Sequence, residues 1–158
     1  MSLSKSLRIA LIPLALLACA ASAHAQSRYT YSAAGGEVTN SQTGLVWRRC
    51  SEGQSWSGGT CTGTAATYTH EAALVQAQAQ AGAAGWRLPN VKELSSITDK
   101  TRVSPAIDPT VFPATPSSDF WTATPSAGDY RSGWFIRFNY GGIYLAYRDD
   151  SGHVRLVR

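Results

Sequence analysis

Cysteine is scarce in this chain: three residues in 158, at Cys19, Cys50 and Cys61, with none beyond. A four-ligand metal site would need a second cysteine pair or histidines at ligand spacing, and His70 and His153 stand alone. Lysine is nearly as rare, since only Lys92 and Lys100 lie beyond residue 25. The basic stripe that marks a nucleic-acid partner is therefore missing. No apolar run reaches the roughly 20 residues that a permanent bilayer span requires. Asp99, Asp108, Asp149 and Asp150 do not alternate as the acids of a calcium loop do. No serine sits in a nucleophile elbow, and no Ser, His and Asp set carries a catalytic flanking pattern. The chain also has no internal repeat and no low-complexity linker. These absences leave no catalytic constellation and no metal or cofactor reading to expect.

What is present begins with an export signal. Lys5 and Arg8 precede an apolar run from Ile9 to Ala18, broken once by Pro13, and Ala23-His24-Ala25 forms an A-x-A cleavage site before Gln26. A signal peptide over residues 1–25 is expected. Leu16-Leu17-Ala18-Cys19 offers a second route, because it resembles a lipobox in which Cys19 is lipidated. Either route takes the protein out of the cytoplasm, to the periplasm or the cell exterior, with membrane attachment only through Cys19. Losing Lys5 and Arg8 lowers the formal charge from +4 to +2. Residues 26–158 suit one domain with a core of its own.

Cleavage after Ala25 leaves Cys50 and Cys61 as an even pair in an oxidising compartment, which reads as a disulfide. The segment between them is rich in Gly and Ser. Closing a loop of this size contributes about 2–3 kcal/mol in the chain-entropy model.

Residues 26–36 read as a lead-in, with strand character continuing to Asn40 and Gly35-Gly36 as a turn. Leu45-Val46-Trp47-Arg48 is a strand fed by Gly44. Thr69 caps a helix over Glu71–Ala81 whose expected buried stripe is Ala73, Leu74, Ala77 and Ala81. The string WRLPNVKEL at 86–94 stops a strand and starts a second helix from Val91 to about Asp99. There Asn90 and Glu93 form a capping box. Four prolines between 105 and 116 exclude helix and central strand, and Val103, Ile107, Val111 and Phe112 are candidate anchors for an ordered loop. Beyond Phe120 the pattern is β. Phe120–Thr124 is a strand, and Trp134, Ile136 and Phe138 alternate with Phe135, Arg137 and Asn139. Turns at 139–142 and 149–152 then lead into Ile143–Arg148 and His153–Arg158. Helices followed by an antiparallel meander read as α+β.

GLVW at 44–47, the Cys50–Cys61 loop with Gln54 and Trp56, YTHEAAL at 68–74 and WRLPNVKEL occur here in order. PAIDPTVFP at 105–113, FWTATP at 120–125 and VRLVR at 154–158 follow them. Over residues 37–158 this series resembles the Lcl C-terminal domain family, a bacterial family named for a collagen-like adhesin. That family is similar to the C-type-lectin-like fold and to the sulfatase-modifying enzymes. The resemblance implies two helices packed on a twisted, mostly antiparallel sheet, paired chain ends, and long loops that carry a binding or adhesion role. The reactive cysteine pair on which the sulfatase modifiers depend has no counterpart after Cys61. No collagen-like tract is present either, so trimerisation through such a stalk is not expected.

Candidate ligand contacts are the aromatics outside the expected core: Trp56 in the disulfide loop, and Tyr130, Tyr140 and Tyr144 around the final hairpins, with Arg148 beside them. Rings flanked by arginine suit sugar stacking or protein recognition. Ordinary sheet tyrosines are the plainer alternative. Arg87 is a candidate buried guanidinium, with Glu93 as its partner. The expected function is that of an exported, non-enzymatic binding module for a glycan or an envelope or host protein surface. A structural envelope component is the alternative, and an enzyme akin to the sulfatase modifiers a distant one.

Overall fold

The computed structural model describes residues 27–158. The signal peptide, the residue at 26 that opens the lead-in, and the lipidation candidate Cys19 lie outside the described residues.

The order is β1 (Tyr29–Tyr31), β2 (Glu37–Asn40), β3 (Val46–Arg48), β4 (Ser55–Ser57), β5 (Thr60–Thr62), α1 (His70–Ala81), α2 (Val91–Ser96), β6 (Asp119–Pro125), β7 (Ser132–Arg137) and β8 (Gly142–Tyr147). The class is α+β. The sheet is divided into three antiparallel pieces: β1-β2-β3, the hairpin β4-β5, and β6-β7-β8.

Local chemistry sets both helices. The Thr69 hydroxyl accepts from the Ala72 N–H, and Gly82 follows the last turn of α1. At α2 the Asn90 side chain accepts from the Glu93 N–H at 2.9 Å, while the Glu93 carboxylate accepts from the Asn90 N–H at 2.8 Å. This helix stops at Ser96, three residues short of the expected end, where Ile97 closes onto Leu94. On α1 the buried stripe is His70, Ala73 and Ala77, with Leu74 38 % exposed. The covering chain seats small alanines and leaves the leucine at its margin.

Two hydrophobic clusters share the molecule. Trp47, Leu94, Phe112, Phe120, Ile136 and Phe138 belong to the first, and Ala73, Trp86, Trp121, Phe135, Val154 and Leu156 to the second. Successive side chains on β6 and β7 point to opposite faces. Phe120 and Ile136 therefore enter one cluster while Trp121 and Phe135 enter the other. The expectation that β7 is apolar on one face only is corrected: it is covered near Phe135 as well, and Trp134 is only half-buried. Burying each such side chain stabilises by roughly 1.5–3 kcal/mol.

The C-terminal segment, expected as a strand, is extended but pairs through isolated bridges. Val46 and Arg158 exchange N–H···O bonds at 2.9 Å, and Arg87 and Val157 do so at 2.9 and 3.0 Å. The segment thus lies between β3 and the approach to α2. Its Arg155 side chain turns inward and is wholly buried. In the proline-rich loop Ile107, Val111 and Phe112 are anchors as expected, whereas Val103 is 72 % exposed and is not.

Cys50 and Cys61 are joined by a disulfide with a Cα–Cα distance of 5.4 Å. The loop it closes is the ordered hairpin β4–β5, turned by Gly58 and Gly59 at positive φ.

Candidate functional site

The sheet β6-β7-β8 carries charged and aromatic side chains around a cleft. Its register places Asp119 opposite Arg137, and both side chains share one face. The Arg137 guanidinium grips the Asp119 carboxylate through two bonds, Nε to Oδ1 at 2.8 Å and Nη2 to Oδ2 at 3.0 Å. This pairing raises the guanidinium above the ordinary arginine range. Rings bracket the same cation, with its central carbon 5.3 Å from the Phe135 centroid and 5.2 Å from that of Tyr144.

Phe135 and Tyr144 are cross-strand partners stacked at 6.0 Å, and Tyr140 meets Tyr144 edge-on at 5.9 Å. The adjacent Tyr144 phenol, with Arg137 nearby, holds the Tyr140 hydroxyl below its ordinary pKa, and the Tyr140 phenol in turn pushes Tyr144 up.

Beside this layer lies a cleft of about 660 Å³, floored by Trp121 and Phe135 and walled by Asp119, Arg137, Asp129 and Asp150. The Asp129 carboxylate accepts from the Arg131 N–H and the Ser132 hydroxyl, which hold its pKa down and keep it an acceptor. The arrangement offers fixed acceptors, one cation and ring faces. Among the described residues no group of three or more His, Cys, Asp or Glu is placed to hold a metal ion.

The Lcl C-terminal domain model matches residues 36–158, more than half of the chain. The chain belongs to the Lcl C-terminal domain family. A comparison with curated proteins finds no match.

Within this Lcl C-terminal domain the sequence-proposed contacts fall in three places. Tyr140 and Tyr144 stand on the Arg137 layer. Tyr130 and Arg148 line a second depression of about 550 Å³, together with Arg131, Tyr147 and Asp149, and Tyr130 is 83 % exposed. Trp56 joins neither. It lines a separate depression with Glu37 and Gln54, and its ring is committed to packing. The Arg49 guanidinium lies 4.0 Å from the ring centroid, and a Cβ on Gly35 would sit 3.1 Å from the indole nitrogen. Arg49 in turn donates to the carbonyls of Val111, Gly35 and Thr110, each at 2.7 Å. Trp56 is therefore part of a clip between the disulfide hairpin, the N-terminal strands and the proline-rich loop.

Arg87 does pair with Glu93, through two bonds of 2.8 Å, but its side chain is 46 % exposed rather than buried. Each partner favours the other's charge, so Glu93 is lowered and Arg87 raised.

The sequence reading does not single out Asp119, Arg137 or Tyr147. Tyr147 has a signal, since it lies in the same strand as Tyr144. The Asp119–Arg137 pair has none, because only the strand register brings those positions together.

Proposed function

We propose that this protein is a non-catalytic recognition module that binds a glycan in the cleft on β6-β7-β8. The observation that supports this most directly is the Asp119–Arg137 pair held beneath Tyr144. A sugar needs fixed hydrogen-bond groups for its hydroxyls and a flat ring for its C–H face, and the ion pair in the cleft with Tyr144 at its margin supplies both. Charge-assisted groups that are already paired lose little freedom on binding.

The reading includes export, by cleavage after Ala25 or by lipidation at Cys19, and an adhesin-like role at the bacterial envelope. It also includes a C-type-lectin-like arrangement, for which the pairing of β3 with the C-terminal segment and the long loop 97–118 speak.

A glycan array probed with the purified protein tests it. The expected result is a defined set of bound glycans, with affinity falling at least about tenfold in Tyr144→Ala while the amide spectrum keeps its dispersion, as loss of a stacking ring requires. No glycan bound above background, or binding indifferent to Tyr144→Ala, would overturn the proposal in favour of a structural envelope component.

A further inference from the structure

The two edges of the β6-β7-β8 sheet are treated differently. Along β6 the outward groups are taken up by the C-terminal segment: the Trp121 N–H donates to the His153 carbonyl at 2.9 Å, and the His153 N–H to the Asp119 carbonyl at 2.8 Å. Along β8 the ladder alternates. The Arg148 N–H donates to the Arg131 carbonyl at 2.8 Å, and with the register of β7 on β8 this sets Gly142, Tyr144, Ala146 and Arg148 facing β7. Ile143 and Leu145 then turn their N–H and C=O groups outward, and among the described residues nothing accepts from or donates to them.

The open window is bounded on both sides, because the Tyr147 N–H is bonded to the Asp150 carboxylate at 3.1 Å and the Gly141 N–H is already used. Usual protections are missing. β8 holds no Lys and no Pro, and its register against β7 is unbroken. Its side chains add an apolar strip in which Ile143, Tyr144, Leu145 and Tyr147 are 40–58 % exposed.

We propose that this edge pairs with the β8 edge of a second copy of the chain, antiparallel about a twofold axis. Two donors and two acceptors on each copy match the same set on the other, with Ile143 of one opposite Leu145 of the other. That register sets Tyr144 against Tyr144 at the twofold axis. No charge lies between Gly142 and Tyr147, so two identical strands meet without repulsion. A partner strand of arbitrary length would find Tyr147 and Gly141 already bonded, whereas a second copy stops where the first does. Edge-to-edge pairing over one short strand covers less area than a standard interface of about 800 Å² on each partner, so the dimer is weak and exchanging.

Sedimentation equilibrium and amide exchange on the purified protein, from about 10 μM to about 1 mM, test this. The expected result is a mass rising towards that of two chains. The Ile143 and Leu145 amides should exchange at least about tenfold more slowly at the upper concentration, while Tyr144 and Ala146 stay protected throughout. Leu145→Lys should remain monomeric with a native amide spectrum. Leu145→Pro, which removes only an outward N–H, should do the same. A monomer at 1 mM overturns the proposal, as does a dimer untouched by Leu145→Lys. So does edge protection that arises only on adding an extended apolar peptide, which would assign β8 to a strand of another protein.

Discussion

Arg155 lies wholly buried with its guanidinium 4.9 Å from the centre of the Phe112 ring, and none of its hydrogen-bond partners is a carboxylate. Its donors go to the carbonyls of Arg48 and Arg49 and to the hydroxyls of Ser51 and Thr115. Burial pushes its pKa down to about 9, so it remains a cation at neutral pH. The C-terminal segment is thereby fastened to β3 and to the disulfide hairpin's root by one side chain.

Removing that side chain leaves buried acceptors without a donor and opens a cavity. Arg155→Ala should lower the unfolding free energy by about 3–5 kcal/mol, read from the urea midpoint at constant slope. Arg155→Lys should restore only part of this, because an ammonium cannot span the same four groups.

His70 predicts a pH dependence. It is 2 % exposed, its Nε2 lies 3.0 Å from the Thr122 carbonyl, and its Nδ1 has no partner among the described residues. Burial lowers its pKa, with the nearby Arg148 charge adding to the effect. The unfolded chain thus takes up a proton near pH 6.5 while the folded one does not. Stability should fall as pH drops below about 6.5, with a slope of up to about 1.4 kcal/mol per pH unit, and level off below the folded pKa. His70→Gln should flatten this part of the profile in urea melts between pH 7.5 and 4.5.

Glu93 closes the capping box and holds Arg87 with the same carboxylate. Glu93→Ala should cost about 1–2 kcal/mol, most of it through the lost cap, since the partly exposed ion pair is screened. Added salt should weaken the wild type's advantage only slightly, which a comparison of melts at low and high ionic strength would show.

Trp56 and Tyr144 should separate stability from recognition. Trp56→Ala breaks the stack on Arg49 and Gly35, and should lower stability by about 2–4 kcal/mol without changing affinity for any bound glycan. Tyr144→Ala should reverse that pattern. Thermal melts and titrations on the two variants would show it.

Much of the framework is legible in the chain because its signals are local. The capping box in WRLPNVKEL, the Thr69 cap and the alternation around Ile136 each depend on neighbours a few residues apart, and the Cys50–Cys61 pair spans only 11. The misread parts depend on distant ones. Ser55-Trp56-Ser57 and Thr60-Cys61-Thr62 look like a Gly- and Ser-rich loop, yet pair as a hairpin because Trp56 and Cys61 face inward between polar neighbours. VRLVR reads as a plain strand, whereas it pairs only through isolated bridges and Arg155 points into the interior to meet groups more than a hundred residues upstream. The Asp119–Arg137 pair bridges 18 positions and exists only through register. Val103 carries an apolar side chain that no neighbour covers.

The segment 154–158 places side chains in both hydrophobic clusters and is bonded to β3 across more than a hundred residues. Contacts of such long range are slow to form, because the chain must close a large loop before any burial rewards it. Synthesised from the N-terminus, the polypeptide holds neither cluster complete until residues 154–158 have been made. Until that segment docks, both clusters lack part of their cover, so the upstream chain has little to gain from closing early.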